Sequence, residues 1–165
     1  WIYIRISVNM GVKMKIAIYY ISFHHHNTLK LLESIDKSYN IDLIDVSNTK
    51  NLDYSNYDII GFASGIYFQK FHKKINSLID SLPNGYPKKI FLIYTCGLNI
   101  TNYGNKLKKK IKKKSIKFLS TFSCNGYDSF GLLKLLGGIK KNHPNEKDFK
   151  KFNEFIKKIY GGKYE

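Results

Sequence analysis

The sequence predicts an α/β fold: a doubly wound, five-stranded parallel sheet with helices on both faces, a three-layer sandwich. Short apolar runs alternate along the chain with segments of helical periodicity. Three of those runs, KIAIYYI, YDIIGFA and KIFLIYT, are continuously apolar, as strands covered on both faces must be. Right-handed crossovers between parallel strands then place helices on both sides of the sheet.

Strand one is expected over residues 15–21. A helix opens near Asn27, with Leu29, Leu31, Leu32 and Ile35 behind it. Strand two, residues 41–46, is broken by Asp42 and Asp45 and reads as an edge strand. Residues 48–56 are polar and leave little room for a crossover helix. Strand three is residues 57–63. The spacing of Phe71, Ile75, Leu78, Ile79 and Leu82 predicts a helix over 70–82, stopped by Pro83 and Gly85. Strand four is residues 89–95. Tyr103, Leu107 and Ile111 form the apolar stripe of a helix over 102–114, and strand five follows at 116–123. A long irregular segment, 124–144, precedes the last helix. That helix starts at Pro144 with Asn145 as cap and Asp148 three residues on, and its core face is Phe149, Phe152, Ile156 and Ile159. His143 and Pro144 set the entry to it.

At 165 residues and 43% apolar content, the chain is one globular domain with a core, not a disordered segment. The expected domain runs from 14 to 160. The first thirteen residues, WIYIRISVNMGVK, read as an extension outside the core, and 161–165 as a tail. Twenty-eight basic residues against 12 acidic ones give a net charge of +16, and Arg5 is the single Arg. The joint abundance of Lys, Asn, Ile and Tyr also suits an AT-rich coding sequence, which needs no anionic partner. The lysines of 106–117 read as a solvated face, with docking of an acidic redox partner through electrostatic steering as the alternative. Neither a recognition-helix pattern nor an RNA-binding aromatic signature is present, so nucleic acid is not expected. No apolar run near membrane-spanning length and no signal peptide occurs, so the chain reads as cytoplasmic and, most simply, monomeric. Cys96 and Cys124 have no metal-binding spacing; following strands four and five, they read as two half-buried thiols, a redox pair being the alternative.

In a doubly wound sheet, ligands sit beyond the carboxyl ends of the strands. That gathers three loops. The first is Ser22, Phe23, His24, His25, His26, Asn27 and Thr28, where hydroxyls and amides meet a helix N-terminus, the setting of a phosphate site. The second is Ser64, Gly65, Ile66, Tyr67 and Phe68, and the third runs from Thr95, Cys96 and Gly97 to Tyr103. No G-x-G-x-x-G, no G-x-x-x-x-G-K-[ST], no Asp at the end of strand three and no G-x-S-x-G is present. Adjacent His side chains on a loop, without acidic or Cys companions, are poor metal ligands.

These loops resemble those of the flavodoxin family. Ser22, Asn27 and Thr28 match its phosphate-wrapping S/T-x-T-G-x-T loop, in the variant with one more residue. His26 stands where the family commonly has Gly, and a side chain there tolerates positive φ poorly. The resemblance implies strand order 2-1-3-4-5, FMN as cofactor, and electron transfer between redox partner proteins. It also implies that the Gly65 peptide faces the flavin N5 and that Tyr67 or Phe68 stacks on the ring. A protonated His in the first loop would contact the phosphate. A typical flavodoxin is acidic. This chain has the opposite sign, which implies a less negative reduction potential. The menaquinone-dependent protoporphyrinogen oxidases offer a second resemblance, through residues 63–67, Phe71-His72, and the insert YDSFGLLKLLGG at 127–138. It implies an FMN oxidoreductase acting on a quinone or porphyrinogen. That insert is amphipathic and suits covering a substrate or touching a membrane surface.

Overall fold

The computed structural model describes residues 14–49 and 52–164. The expected extension, residues 1–13, lies outside them. Strands β1 (Ile16–Ile21), β2 (Ile41–Asp45), β3 (Ile59–Tyr67), β5 (Lys89–Cys96) and β6 (Phe118–Asn125) form a parallel sheet in the order β2-β1-β3-β5-β6. A two-residue strand, β4 (Lys70–Phe71), pairs antiparallel with the end of β3. Leaving that short strand aside, the order is the 2-1-3-4-5 that the family resemblance implies.

Side chains alternate between two apolar layers. Ala17, Tyr19, Ile60, Phe62, Leu92 and Tyr94 pack under α2 (Lys73–Ser81) and α3 (Asn105–Lys113). Ile16, Ile18, Ile59, Ala63, Phe91 and Ile93 pack under α1 (Asn27–Glu33) and α4 (Glu146–Tyr160). Helices therefore cover both faces, which is why the central strands carry no polar alternation. β2 is the edge strand, where Asp42 reaches Lys15 at 3.0 Å and Tyr57 at 2.9 Å. The described part of the β2–β3 connection contains no helix; Tyr54 lays its ring edge-on against Tyr19 there, with centroids 4.9 Å apart. The cap of α4 is as read: Asn145 accepts from the Asp148 amide, and Asp148 accepts from the Asn145 amide.

Some boundaries differ from the expectation. β3 does not stop at Ala63 but runs on to Tyr67, turns through Phe68 and Gln69, and returns as β4. Both turn residues have positive φ, 48° and 62°, a tight hairpin geometry usually marked by Gly or Asn. Helix α2 consequently starts at Lys73, capped by His72 Nδ1, which accepts from the Lys74 amide at 3.2 Å. Phe71 joins the core from a strand, not from a helix face. α1 ends before Ile35, α3 starts three residues later than expected, and β6 is shifted by two.

Candidate functional site

The carboxyl ends of β1, β3 and β5 and the segment after β6 enclose a cavity of about 210 Å³. Of the residues picked from sequence, Ser22, His24, Asn27, Thr28, Gly65, Ile66, Tyr67, Phe68, Thr95, Cys96 and Gly97 line it. Phe23, His25, His26, Ser64 and Tyr103 do not.

The first loop folds as a tight turn, His24–His26, leading into α1. His25 and His26 both take φ 52°, so the chain adopts the left-handed turn that glycine would favour, with side chains attached. Each such residue costs roughly 1 kcal/mol of backbone strain. Ser22 Oγ accepts from the Leu29 amide at 3.1 Å, which leaves its proton free to donate. Thr28 Oγ1 and Thr95 Oγ1, both buried, share a hydrogen bond of 2.9 Å that ties the first loop to the third. Asn27 donates to the Tyr127 carbonyl at 2.7 Å, while its buried Oδ1 has no hydrogen-bond partner among the described residues.

The most informative contact is made by Tyr67. Its hydroxyl accepts from the Phe23 amide at 3.3 Å, with the His24 amide a lesser influence on the same oxygen. A backbone donor of the first loop is thus spent on this oxygen. Burial holds the Tyr67 hydroxyl above its ordinary titration range. The ring passes over Gly65, where a Cβ would stand 3.0 Å from that hydroxyl. Phe68 is 82% exposed at the hairpin tip.

His25 leaves the cavity to pack on Tyr127, with ring centroids 4.0 Å apart, and pairs through Nε2 with Ser129 Oγ at 2.7 Å. Phe23 packs against His72 instead. Ser64 is spent on its own backbone, donating to the Gly65 carbonyl and accepting from the His72 amide. Tyr103 donates to the Leu98 carbonyl and packs on Tyr94. Among the described residues, no group of three or more His, Cys, Asp or Glu is arranged to hold a metal.

Tyr127, Asp128 and Phe130, which the sequence places only in the insert at 127–138 and not among the cofactor-binding residues, form the remaining wall. They follow the carboxyl end of β6, and the Gly126 amide donates to the Cys96 carbonyl at 2.9 Å, which seats them over the third loop. The sheet order itself was the available signal. Cys96 lies at the cavity wall, with Sγ 3.9 Å from the Cys124 carbonyl oxygen. Burial, with a lesser contribution from the Asp128 carboxylate, pushes the Cys96 thiol up to about 12. Cys124 is raised as well, by burial first and then by Asp148 and Cys96. Both cysteines are free and buried, so neither is a ready thiolate.

The donor set suits a phosphate: a first-loop amide already aimed at a side-chain oxygen, and a hydroxyl with a free proton. The aromatic walls Tyr67, Phe68, Tyr127 and Phe130 suit a flat ring. The volume is smaller than the roughly 300–1,000 Å³ of ligand pockets, with the Tyr67 side chain among the groups that fill the space.

Residues 17–128 match the model of the flavodoxin domain family. An uncharacterized protein of Methanocaldococcus jannaschii is 41% identical over 148 residues, covering 88% of this chain and 98% of that protein. Among solved structures, a flavodoxin from the domain Archaea superposes with a TM-score of 0.63 at 15% identity, over 90% of this chain and 98% of that one. An NADH:FMN oxidoreductase in its apo form gives 0.63 at 14% identity, over 90% and 89%. At such identities the likeness to these structures is one of fold.

Proposed function

This chain belongs to the flavodoxin-domain family, and on that premise we propose that it binds FMN and carries electrons between redox proteins. The observation that supports the reading is the Phe23 amide of the first loop, spent on the Tyr67 hydroxyl at 3.3 Å. On this reading the Tyr67 hydroxyl stands in for a phosphate oxygen. Ser22 adds a hydroxyl donor, and Thr28, locked to Thr95, fixes the turn against the sheet. Asn27 Oδ1 offers an acceptor for a ribityl hydroxyl. Tyr67 and Phe68 on one side and Tyr127 and Phe130 on the other hold the ring. Bound FMN supplies the electron storage; the protein supplies binding, orientation and field. The net charge of +16 favours the reduced, anionic cofactor and raises its potential relative to an acidic relative.

A second reading is an FMN oxidoreductase with a small-molecule substrate such as a quinone. It is favoured by one observation: Tyr127, Asp128 and Phe130 wall the cavity instead of leaving its edge open. One experiment addresses both. The protein is incubated with FMN, freed of excess and assayed for retained flavin absorbance, then kept reduced anaerobically with dithionite or an NADH-driven reductase and assayed for the acceptors it reduces. Retained flavin with oxidation by protein acceptors supports the carrier. Saturable turnover of a quinone supports the enzyme. A colourless protein overturns both.

A further inference from the structure

The segment after Tyr127 forms a backbone-bonded lobe that displays three of its four leucines to solvent. Asp128 and Ile139 close its base with two backbone bonds of 3.0 and 2.7 Å, and the Gly138 amide donates to the Leu133 carbonyl at 2.7 Å. Gly131, Gly137 and Gly138 take positive φ and let the chain turn so tightly. The lobe is therefore held by its backbone, yet Leu132, Leu135 and Leu136 are 80%, 84% and 80% exposed. Phe130 at its foot is 53% exposed and touches the tip of the neighbouring hairpin, where Phe68 lies with its ring centroid 5.5 Å away. Apolar side chains displayed together at one end of a molecule mark a contact surface.

Charge indicates what covers it. No acidic residue occurs between Asp128 and Glu146, while Lys134, Lys140 and Lys141 do, on a chain of net charge +16. The Lys141 ammonium lies over Gly137, 3.1 Å from where a Cβ would stand. Exposed leucines in a segment that carries lysines and no carboxylate match an anionic lipid surface: the apolar tips enter the acyl boundary and the ammonium groups meet the phosphates. We propose that residues 130–141 dock this protein peripherally on anionic phospholipid membranes. Phe130 also walls the cavity, so docking sets the mouth of the site at the lipid interface.

The test is co-sedimentation of the full chain with vesicles of phosphatidylcholine, with and without about 30% phosphatidylglycerol, at physiological salt. The expected result is binding to the anionic vesicles only. The triple variant L132S/L135S/L136S then binds at least about ten-fold more weakly, as does K134Q/K140Q/K141Q. The emission of L135W shifts to the blue on anionic vesicles, beyond any change seen in the native chain with Trp1 alone. These readouts do not depend on FMN. The proposal is overturned if the native chain stays in solution. It is also overturned if the leucine variant binds as the native chain does, because net charge would then be the whole cause. Leucine-dependent self-association without vesicle binding overturns it in favour of a second copy as the occupant.

Discussion

Replacing Tyr67 with Phe removes one oxygen and leaves an aromatic ring of the same size. In the ligand-free protein that oxygen accepts from the Phe23 amide at 3.3 Å. At this length the bond lies near the low end of the net range, about 0.5 kcal/mol. Y67F should therefore lower the stability of the ligand-free protein by about 0.5 kcal/mol, read from urea midpoints. On the proposed reading the same amide is offered to the FMN phosphate. Freeing it removes the competitor, and about 0.5 kcal/mol corresponds to roughly two-fold tighter FMN binding. The assay is quenching of flavin fluorescence during titration. Riboflavin, which lacks the phosphate, should gain much less. Equal or weaker FMN affinity in Y67F, alongside the stability loss, would refute the claim that hydroxyl and phosphate compete for one donor.

Three further outcomes are expected. A methyl group at Gly97 would stand 2.6 Å from Asp128 Cβ, so G97A must push the 127–130 wall outward. It should cost about 1–3 kcal/mol in a denaturation curve and weaken FMN binding. Hydrogen bonds from Lys15 and then Tyr57 hold the Asp42 carboxyl below its usual range. Its contribution is thus present above the ordinary carboxylate pKa and lost as pH falls through the lowered folded value. D42N should cost less than about 1 kcal/mol near neutrality, because both partners are well exposed, and the difference should vanish in acid melts. If the surplus of lysines raises the flavin potential, potentiometric titration should show that potential falling as salt is added. A salt-independent potential, as low as in acidic relatives, would remove the electrostatic argument.

The fold was largely legible because burial dictates composition. Strands β1, β3 and β5 are covered on both faces, so their runs are apolar without interruption. The start of α4 was legible because Asn145 and Asp148 satisfy each other's amides through side chains that the sequence displays. The hairpin β3–β4 was not legible. Its turn residues Phe68 and Gln69 carry no turn chemistry, and Phe71 sits at a spacing that mimics a helix face. The placement of the first two loops followed from topology alone, but the directions of individual side chains did not. His25 is drawn away by Tyr127 and Ser129, residues a hundred positions on, and Ser64 by its own backbone. Sequence shows the Tyr127–Phe130 wall only as part of an insert; the β5–β6 pairing is what seats it over Gly97.

The central claim is that the turn from Ser22 to Thr28 grips a flavin phosphate. Parallel titrations of the purified protein with FMN and riboflavin test it most directly. The account predicts quenching of FMN fluorescence at micromolar concentration or below, and affinity for riboflavin lower by at least about ten-fold, the loss expected for removing two or more charge-assisted bonds. Equal affinity for the two flavins, or no quenching by either, would contradict it.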